Sequence, residues 1–311
     1  MKKHRIGIIG LGKISQDQHL PVIGKNSAFE LAAVSSQRGL KAGDALAFRD
    51  HRQLLAETPD LDGVAICTPP QVRYPIARDA LLAGKHVMLE KPPAATLSEL
   101  TDLERLAEEK GRVLFTTWHS QYNSGVDAAK RTLAGKRITR LFVDWKEDVR
   151  KWHPGQAWIF QAGGFGVFDP GINALSIVTR IMPEPVFIRS SSLSFSSNAE
   201  APIAADLTFS VGGREGAFSA EMDWRPIERD VWEIFVETDG GTRLHLSSGG
   251  AKLDVNGKIL AEAAPAEYEA IYEHFDQLLR DGRSHVDAAP FRLVADAFMV
   301  GKRREVEAFQ E

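Results

Sequence analysis

The sequence predicts two fold classes in one chain of 311 residues: an α/β domain over residues 1–121 and an α+β domain over 122–311. Three observations predict this. The first third alternates short β-branched runs with helical stretches, the pattern that builds a parallel sheet covered on both faces. A glycine-rich turn, Gly10-Leu11-Gly12, closes the first of those runs. Beyond residue 138 the runs lengthen and alternate, and glycine-rich turns (Val211-Gly212-Gly213, Asp239-Gly240-Gly241, Asn256-Gly257) join them, which predicts antiparallel hairpins.

Taken in order, strands are expected at 5–10, 29–35, 63–68, 85–89 and 113–117. A helix is expected over 95–110, capped by Thr96, with Leu97, Leu100, Leu103 and Leu106 on its apolar face. The second domain is expected to hold strands at 138–145, 205–211, 216–224, 232–238 and 242–246. Amphipathic helices at 267–279 and 291–309 close it. Composition narrows the function classes. With 38 basic against 42 acidic side chains, the net charge of -4 offers no concentrated basic surface for nucleic acid. The single cysteine, Cys67, excludes a disulfide framework and a cysteine-rich zinc site, and fits the cytoplasm. The apolar run at 6–11 is short and broken by glycines, so neither a signal peptide nor a membrane span is expected.

Arg5 to Ser15 reads as a buried strand running into G-x-G-x-x-S and then a helix. Gly10 allows a tight turn, and Gly12 lets the backbone, with Lys13 and Ile14, approach a pyrophosphate at the helix N-terminus. Ser15 stands where a third glycine is usual. Strand, turn and helix in an alternating stretch together predict a dinucleotide-binding Rossmann domain. The second strand ends at Ser36-Gln37-Arg38 with no acidic residue for a ribose 2'-hydroxyl. These three either donate to a 2'-phosphate, making NADP the expected cofactor with NAD also accepted, or leave Arg38 as a solvated residue at a helix start.

Three further segments carry a resemblance: Ala65 to Tyr74 with Thr68-Pro69-Pro70, the strand end Glu90-Lys91-Pro92-Pro93, and Gly163 to Asn173. Together they resemble the glucose-fructose oxidoreductase/inositol dehydrogenase (Gfo/Idh/MocA) family over most of the chain. The resemblance implies an open antiparallel sheet in the C-terminal domain, which would bind substrate and mediate self-association as a dimer or tetramer. It also implies that Thr68, Pro69, Pro70, Glu90, Lys91 and His119 contact the cofactor. The runs Trp145 to Gln156 and Asp169-x-x-x-Asn173 are similar to members that oxidise L-arabinose or D-galactose at C1 to the aldonolactone. Most of the family carries histidine where Asn173 stands, and many members carry one where Tyr74 stands, so general-base roles do not transfer to Asn173.

The residues also admit a reading of their own. Lys91 ends a buried strand and precedes two prolines, which aims its ammonium at the carboxyl edge of the sheet, where open α/β sheets bind ligands; the bland alternative is a lysine reaching for water. Asp169 and Asn173, four apart on an expected helix over 170–181, share one face. Asp169 is either a ligand to sugar hydroxyls or simply the cap of that helix. Lys91, Asp169 and Asn173 are the candidate catalytic residues. Trp118 to Trp158 holds four of the six tryptophans among charged residues, which suits a sugar with its C–H face on an aromatic plate. Trp145 and Trp158 are expected in the core. Trp152 is expected as the plate, with His119, Glu147, His153 and Trp232 completing the sugar contacts. Glu147 and His153 lie six apart, outside common zinc spacings, so no metal is expected. The alternatives are oxidation of another sugar or an inositol, and a catalytically silent sugar or dinucleotide sensor.

Overall fold

The computed structural model describes residues 3–264 and 266–310. Its contacts divide the chain into two compact units, Met1–His119 with Glu267–Ala288, and Ser120–Ala266 with Ala289–Glu311.

In the first unit six parallel strands, β1 (His4–Ile9), β2 (Phe29–Ser35), β3 (Leu46–Phe48), β4 (Gly63–Ile66), β5 (His86–Glu90) and β6 (Leu114–Thr117), lie in the order β3-β2-β1-β4-β5-β6. That is the doubly wound order, with its switch point between β1 and β4. The strand β3 was not expected: it is three residues long, with two of them exposed. The helix Leu97–Lys110 forms as its spacing predicts. Thr96 Oγ1 accepts the Glu99 N–H at 3.3 Å and Glu99 Oε2 accepts the Thr96 N–H at 3.1 Å, a reciprocal cap contributing about 1 kcal/mol. The remote helix Glu267–Asp281 returns to this unit and completes its core. Its Phe275 stacks on Phe29 at 5.8 Å and on Phe115 at 6.0 Å, and all three rings are buried.

One half-buried group makes this unit sensitive to acid. His86 Nδ1 accepts the Val113 N–H at 2.9 Å, a bond that only the neutral ring can make. Burial, helped by Arg112, pushes its pKa down from 6.5 to about 4. Below pH 6.5 the unfolded chain therefore takes up a proton that the folded unit refuses until about pH 4, and stability falls across that window. The variant His86→Gln keeps an acceptor and does not titrate, so its Tm should decline less steeply between those pH values. Equal slopes for variant and parent would refute the assignment.

The second unit is built on a nine-stranded sheet. It comprises β7 (Ile138–Lys146), β8 (Val186–Ser196), β9 (Pro202–Val211), β10 (Ala217–Asp223), β11 (Val231–Thr238), β12 (Arg243–Ser247), β13 (Lys252–Val255), β14 (Lys258–Glu262) and β15 (Gly301–Val306). The order is β14-β13-β12-β11-β7-β10-β9-β8-β15, an open sheet. It is mixed rather than purely antiparallel, because β10 runs parallel to β7 and β15 parallel to β8. The expected helix at 291–309 is likewise corrected. It spans Ala289–Met299, and the chain then extends through Gly301 into β15 along the edge of β8. The helices Phe168–Ile181 and Ala289–Met299 pack together on one face of the sheet. Trp145 is buried as expected, whereas Trp158 is only partly covered.

Candidate active site

Every residue that the sequence assigns to the cofactor lies in the first unit, directly after the carboxyl end of a parallel strand. Gly10, Gly12, Lys13 and Ile14 follow β1, Ser36 to Arg38 follow β2, and Thr68 to Pro70 follow β4. Glu90 and Lys91 close β5, and His119 follows β6. That edge is where doubly wound sheets hold ligands. Gly10 adopts φ +95°, and a Cβ there would meet the Thr68 backbone nitrogen at 2.8 Å, so only glycine fits. Around Gly12 a Cβ would find nothing within 4 Å. This opening faces the start of the following helix, and the buried hydroxyl of Thr68 has no partner among the described residues. Open space, backbone N–H groups and a spare hydroxyl fit a dinucleotide's pyrophosphate. Ser36 is buried while Gln37 and Arg38 are exposed. Arg49, which sequence reasoning missed because β3 was not expected, brings its guanidinium within 3.2 Å of the position a Cβ would take on Gly39. The same turn therefore carries two arginines.

Glu90, expected at the cofactor, turns its carboxylate inward and is 3% exposed. Its Oε1 meets His19 Nε2 at 2.9 Å and accepts the Tyr268 hydroxyl at 2.9 Å, while Oε2 accepts the Lys91 N–H at 3.1 Å. His19, fully buried at the end of a π-helical turn over Ser15–His19, contacts the Tyr272 hydroxyl through Nδ1 at 2.8 Å. Burial opposes charge on both groups. For His19 this is outweighed by Cys67, Tyr272 and Glu90, which raise its pKa well above the ordinary value. For Glu90 it is outweighed by His19, His119 and Tyr268, which hold the carboxyl well below its usual range. Arg73 donates to the carbonyls of Thr68, Glu90 and Pro92, holding the chain on both sides of Lys91. His119 Nδ1 lies 3.3 Å from Glu267 Oε1, and its ring stacks on Tyr268.

The remaining candidates gather in the second unit. Glu147 follows β7, buried, with Oε2 accepting the Trp232 indole N–H at 2.8 Å and Oε1 that of Trp224 at 3.4 Å. Register sets Trp232 on β11 opposite Trp145 on β7. Trp152 lies 5.5 Å from Trp232, centroid to centroid, and His153 packs edge-on to Trp224 at 5.1 Å. His153 Nε2 stands 3.4 Å from Asp169 Oδ2. Asp169 is not the cap of its helix: the helix starts at Phe168 with Val167 before it, so Asp169 falls within the first turn. Its carboxylate is 4% exposed and faces His153 instead of capping the chain. Gly166 makes this start possible. At φ +53° a Cβ would lie 2.2 Å from the Pro202 carbonyl oxygen. Asn173 sits one turn further along, half-buried. Trp224 was missed as a site residue, since it ends a strand like any core tryptophan; only its partner Glu147 distinguishes it. Among the described residues no group of three or more His, Cys, Asp or Glu could hold a metal, and no helix is long and apolar enough to cross a membrane.

A doubly wound domain with this turn, joined to a second unit carrying an aromatic and carboxylate cluster, defines a dinucleotide-dependent oxidoreductase. The model of the Gfo/Idh/MocA oxidoreductase family, with its NAD-binding Rossmann fold, matches residues 4–118. Galactose 1-dehydrogenase of Pseudomonas fluorescens is 44% identical over 311 residues, covering 100% of both chains. The crystal structure of D-galactose-1-dehydrogenase from Rhizobium etli superposes with a TM-score of 0.94 at 50% identity, covering 100% of this chain and 99% of that one. A 3-ketoreductase from Actinomadura kijaniata, solved with TDP-benzene and NADP, shares the fold at a TM-score of 0.84 and 16% identity over 98% of this chain and 100% of its own. The protein belongs to the Gfo/Idh/MocA oxidoreductase family and is an NAD(P)-binding enzyme.

Proposed function

We propose that the protein is an aldose 1-dehydrogenase that oxidises D-galactose, L-arabinose or both to the aldonolactone. The observation that carries this reading is the buried Asp169 carboxylate facing His153 beside Trp152, Trp224 and Trp232, in a chain similar over its whole length to two galactose 1-dehydrogenases. A nicotinamide, when bound, supplies the hydride acceptor for C1. Gly10, Gly12, Lys13, Ile14, Thr68, Pro69 and Pro70 hold its dinucleotide. Lys91 contacts the reacting C1 oxygen, and Asp169 relays or orients the hydroxyl proton that must leave as C1 is oxidised. Asn173, His153 and His119 position the other hydroxyls. Glu147 acts by holding the Trp232 indole, which with Trp152 forms the apolar wall under the ring, while the fully buried Trp224 backs that carboxylate from the core. L-Arabinopyranose is D-galactopyranose without the exocyclic CH2OH, so one pocket accommodates both, and the missing group discriminates modestly.

NADP is the preferred cofactor in this reading and NAD is also accepted. Its support is the absence of an acid after β2 and the presence of Arg38 and Arg49 at that turn. The outer face of the nine-stranded sheet, where Phe142 and Phe235 stack at 6.2 Å, suits self-association as a dimer or tetramer. A single unpaired cysteine fits a cytoplasmic enzyme. The test is absorbance at 340 nm with NAD and NADP in parallel over a panel of sugars and inositols. D-Galactose and L-arabinose should both give reduced cofactor and a lactone, faster with NADP. Reduction by inositols alone, or by none of the panel, would overturn the proposal in favour of a ring-carbon dehydrogenase or a silent sensor.

A further inference from the structure

Lys91 is the group whose position matters most to the proposed reaction, and its peptide is held from an unexpected distance. The Glu90 carboxylate bonds the Lys91 N–H on one oxygen and gathers His19 and Tyr268 on the other. Tyr272 reaches the same carboxylate through His19. Tyr268 and Tyr272 are four apart on the helix Glu267–Asp281, so a single helical face presents one phenol to the buried acid and the other to the histidine bonded to it. All three supporting side chains are buried, at 0% exposure for His19 and Tyr272 and 3% for Tyr268. No bulk water competes for these bonds, and each polar group would be costly to leave unpaired.

We infer that Tyr268, Tyr272 and His19 are positioning residues for Lys91, acting through the Glu90 carboxylate to fix the peptide from which the ammonium projects. The inference rests on the proposed role of Lys91 at the reacting oxygen. Tyr268 constrains the acid that bonds the Lys91 N–H directly, and Tyr272 constrains it through His19. Loosening that acid lets the ammonium drift, and a displacement of about 1 Å can cost roughly 100-fold in rate. With Tyr268→Phe, His19 still bonds the same oxygen, so a partial loss is expected.

The experiment compares the parent, Tyr268→Phe, Lys91→Ala and the double variant. Each is measured for kcat under saturating substrates, and for dinucleotide affinity by quenching of intrinsic fluorescence. Tyr268→Phe is expected to lower kcat about tenfold and leave dinucleotide affinity within about twofold. In the Lys91→Ala background the same change should have no further effect, because the group it acts through is gone. Equal fold losses in both backgrounds, or no loss in the parent while Lys91→Ala is impaired, would overturn the inference alone. Lys91→Ala at the parental rate would overturn the reading of Lys91 and the inference with it. Should Tyr268→Phe fail to fold, Tyr272→Phe replaces it in the same cycle. One bond further from Glu90, it should give the same non-additivity with a smaller loss, about threefold.

Discussion

Lys91→Ala is expected to lower turnover by about 100-fold or more while leaving the thermal midpoint close to that of the parent. The structure explains why the loss should be confined to catalysis. The bonds that fix this stretch run to the Lys91 main-chain N–H and to the carbonyls of Glu90 and Pro92, and alanine keeps every one of them. What disappears is the side chain beyond Cβ, its methylene stem and its ammonium. Steady-state kinetics over a range of D-galactose and L-arabinose concentrations, paired with a melting curve, separates the two contributions. A variant with near-parental kcat would refute a role in proton transfer, and a collapsed melting temperature would show that the side chain supports the fold instead.

The second large effect is expected at Asp169. Replacing it by asparagine preserves shape but removes the charge, and the amide cannot take up a proton. If Asp169 relays the hydroxyl proton, kcat/KM for the sugar should fall by about 100-fold, with dinucleotide affinity unchanged. His153, 3.4 Å away and 18% exposed, keeps enough access to water that the substitution should cost little stability. A kcat/KM within threefold of the parent would reduce Asp169 to a packing residue.

Most of the parallel half was legible in the sequence, because its signals are local. A β-branched run ending in Gly10-Leu11-Gly12 declares strand, turn and nucleotide site within a dozen residues. Thr96 and Glu99 likewise announce their helix from three positions apart. What stayed hidden depends on distant partners or on composition that imitates another state. The strand β8 was not expected, since serines fill its middle, yet β9 and β15 flank it on either side. Gly301 to Val306 is dominated by charge and continues an apolar helical pattern, so only its pairing with β8 makes it a strand. The parallel pairing of β7 with β10 brings together segments some seventy residues apart, which no turn residue signals. At the site, the types of residue were legible and their orientation was not. Glu90 was placed beside the cofactor by resemblance alone; the partners that hold its carboxylate, His19 and Tyr268, lie 71 and 178 residues away, and the helix that carries Tyr268 shows only amphipathicity in its sequence. Of the two readings of Asp169, the cap came from the proline that follows it; the helix instead begins at Phe168, where Gly166 reaches a left-handed conformation.

The return of Glu267–Asp281 to the first unit also governs how the protein can be made. Phe29 and Phe115 wait for Phe275, which is encoded 160 residues after the later of them. At about 5–20 residues per second on the ribosome, that interval lasts roughly ten to thirty seconds. Throughout it Phe29 and Phe115 lack the ring that covers them in the finished fold. Biosynthetic success is therefore decided by the last quarter of the polypeptide, long after the nucleotide-binding turn has emerged.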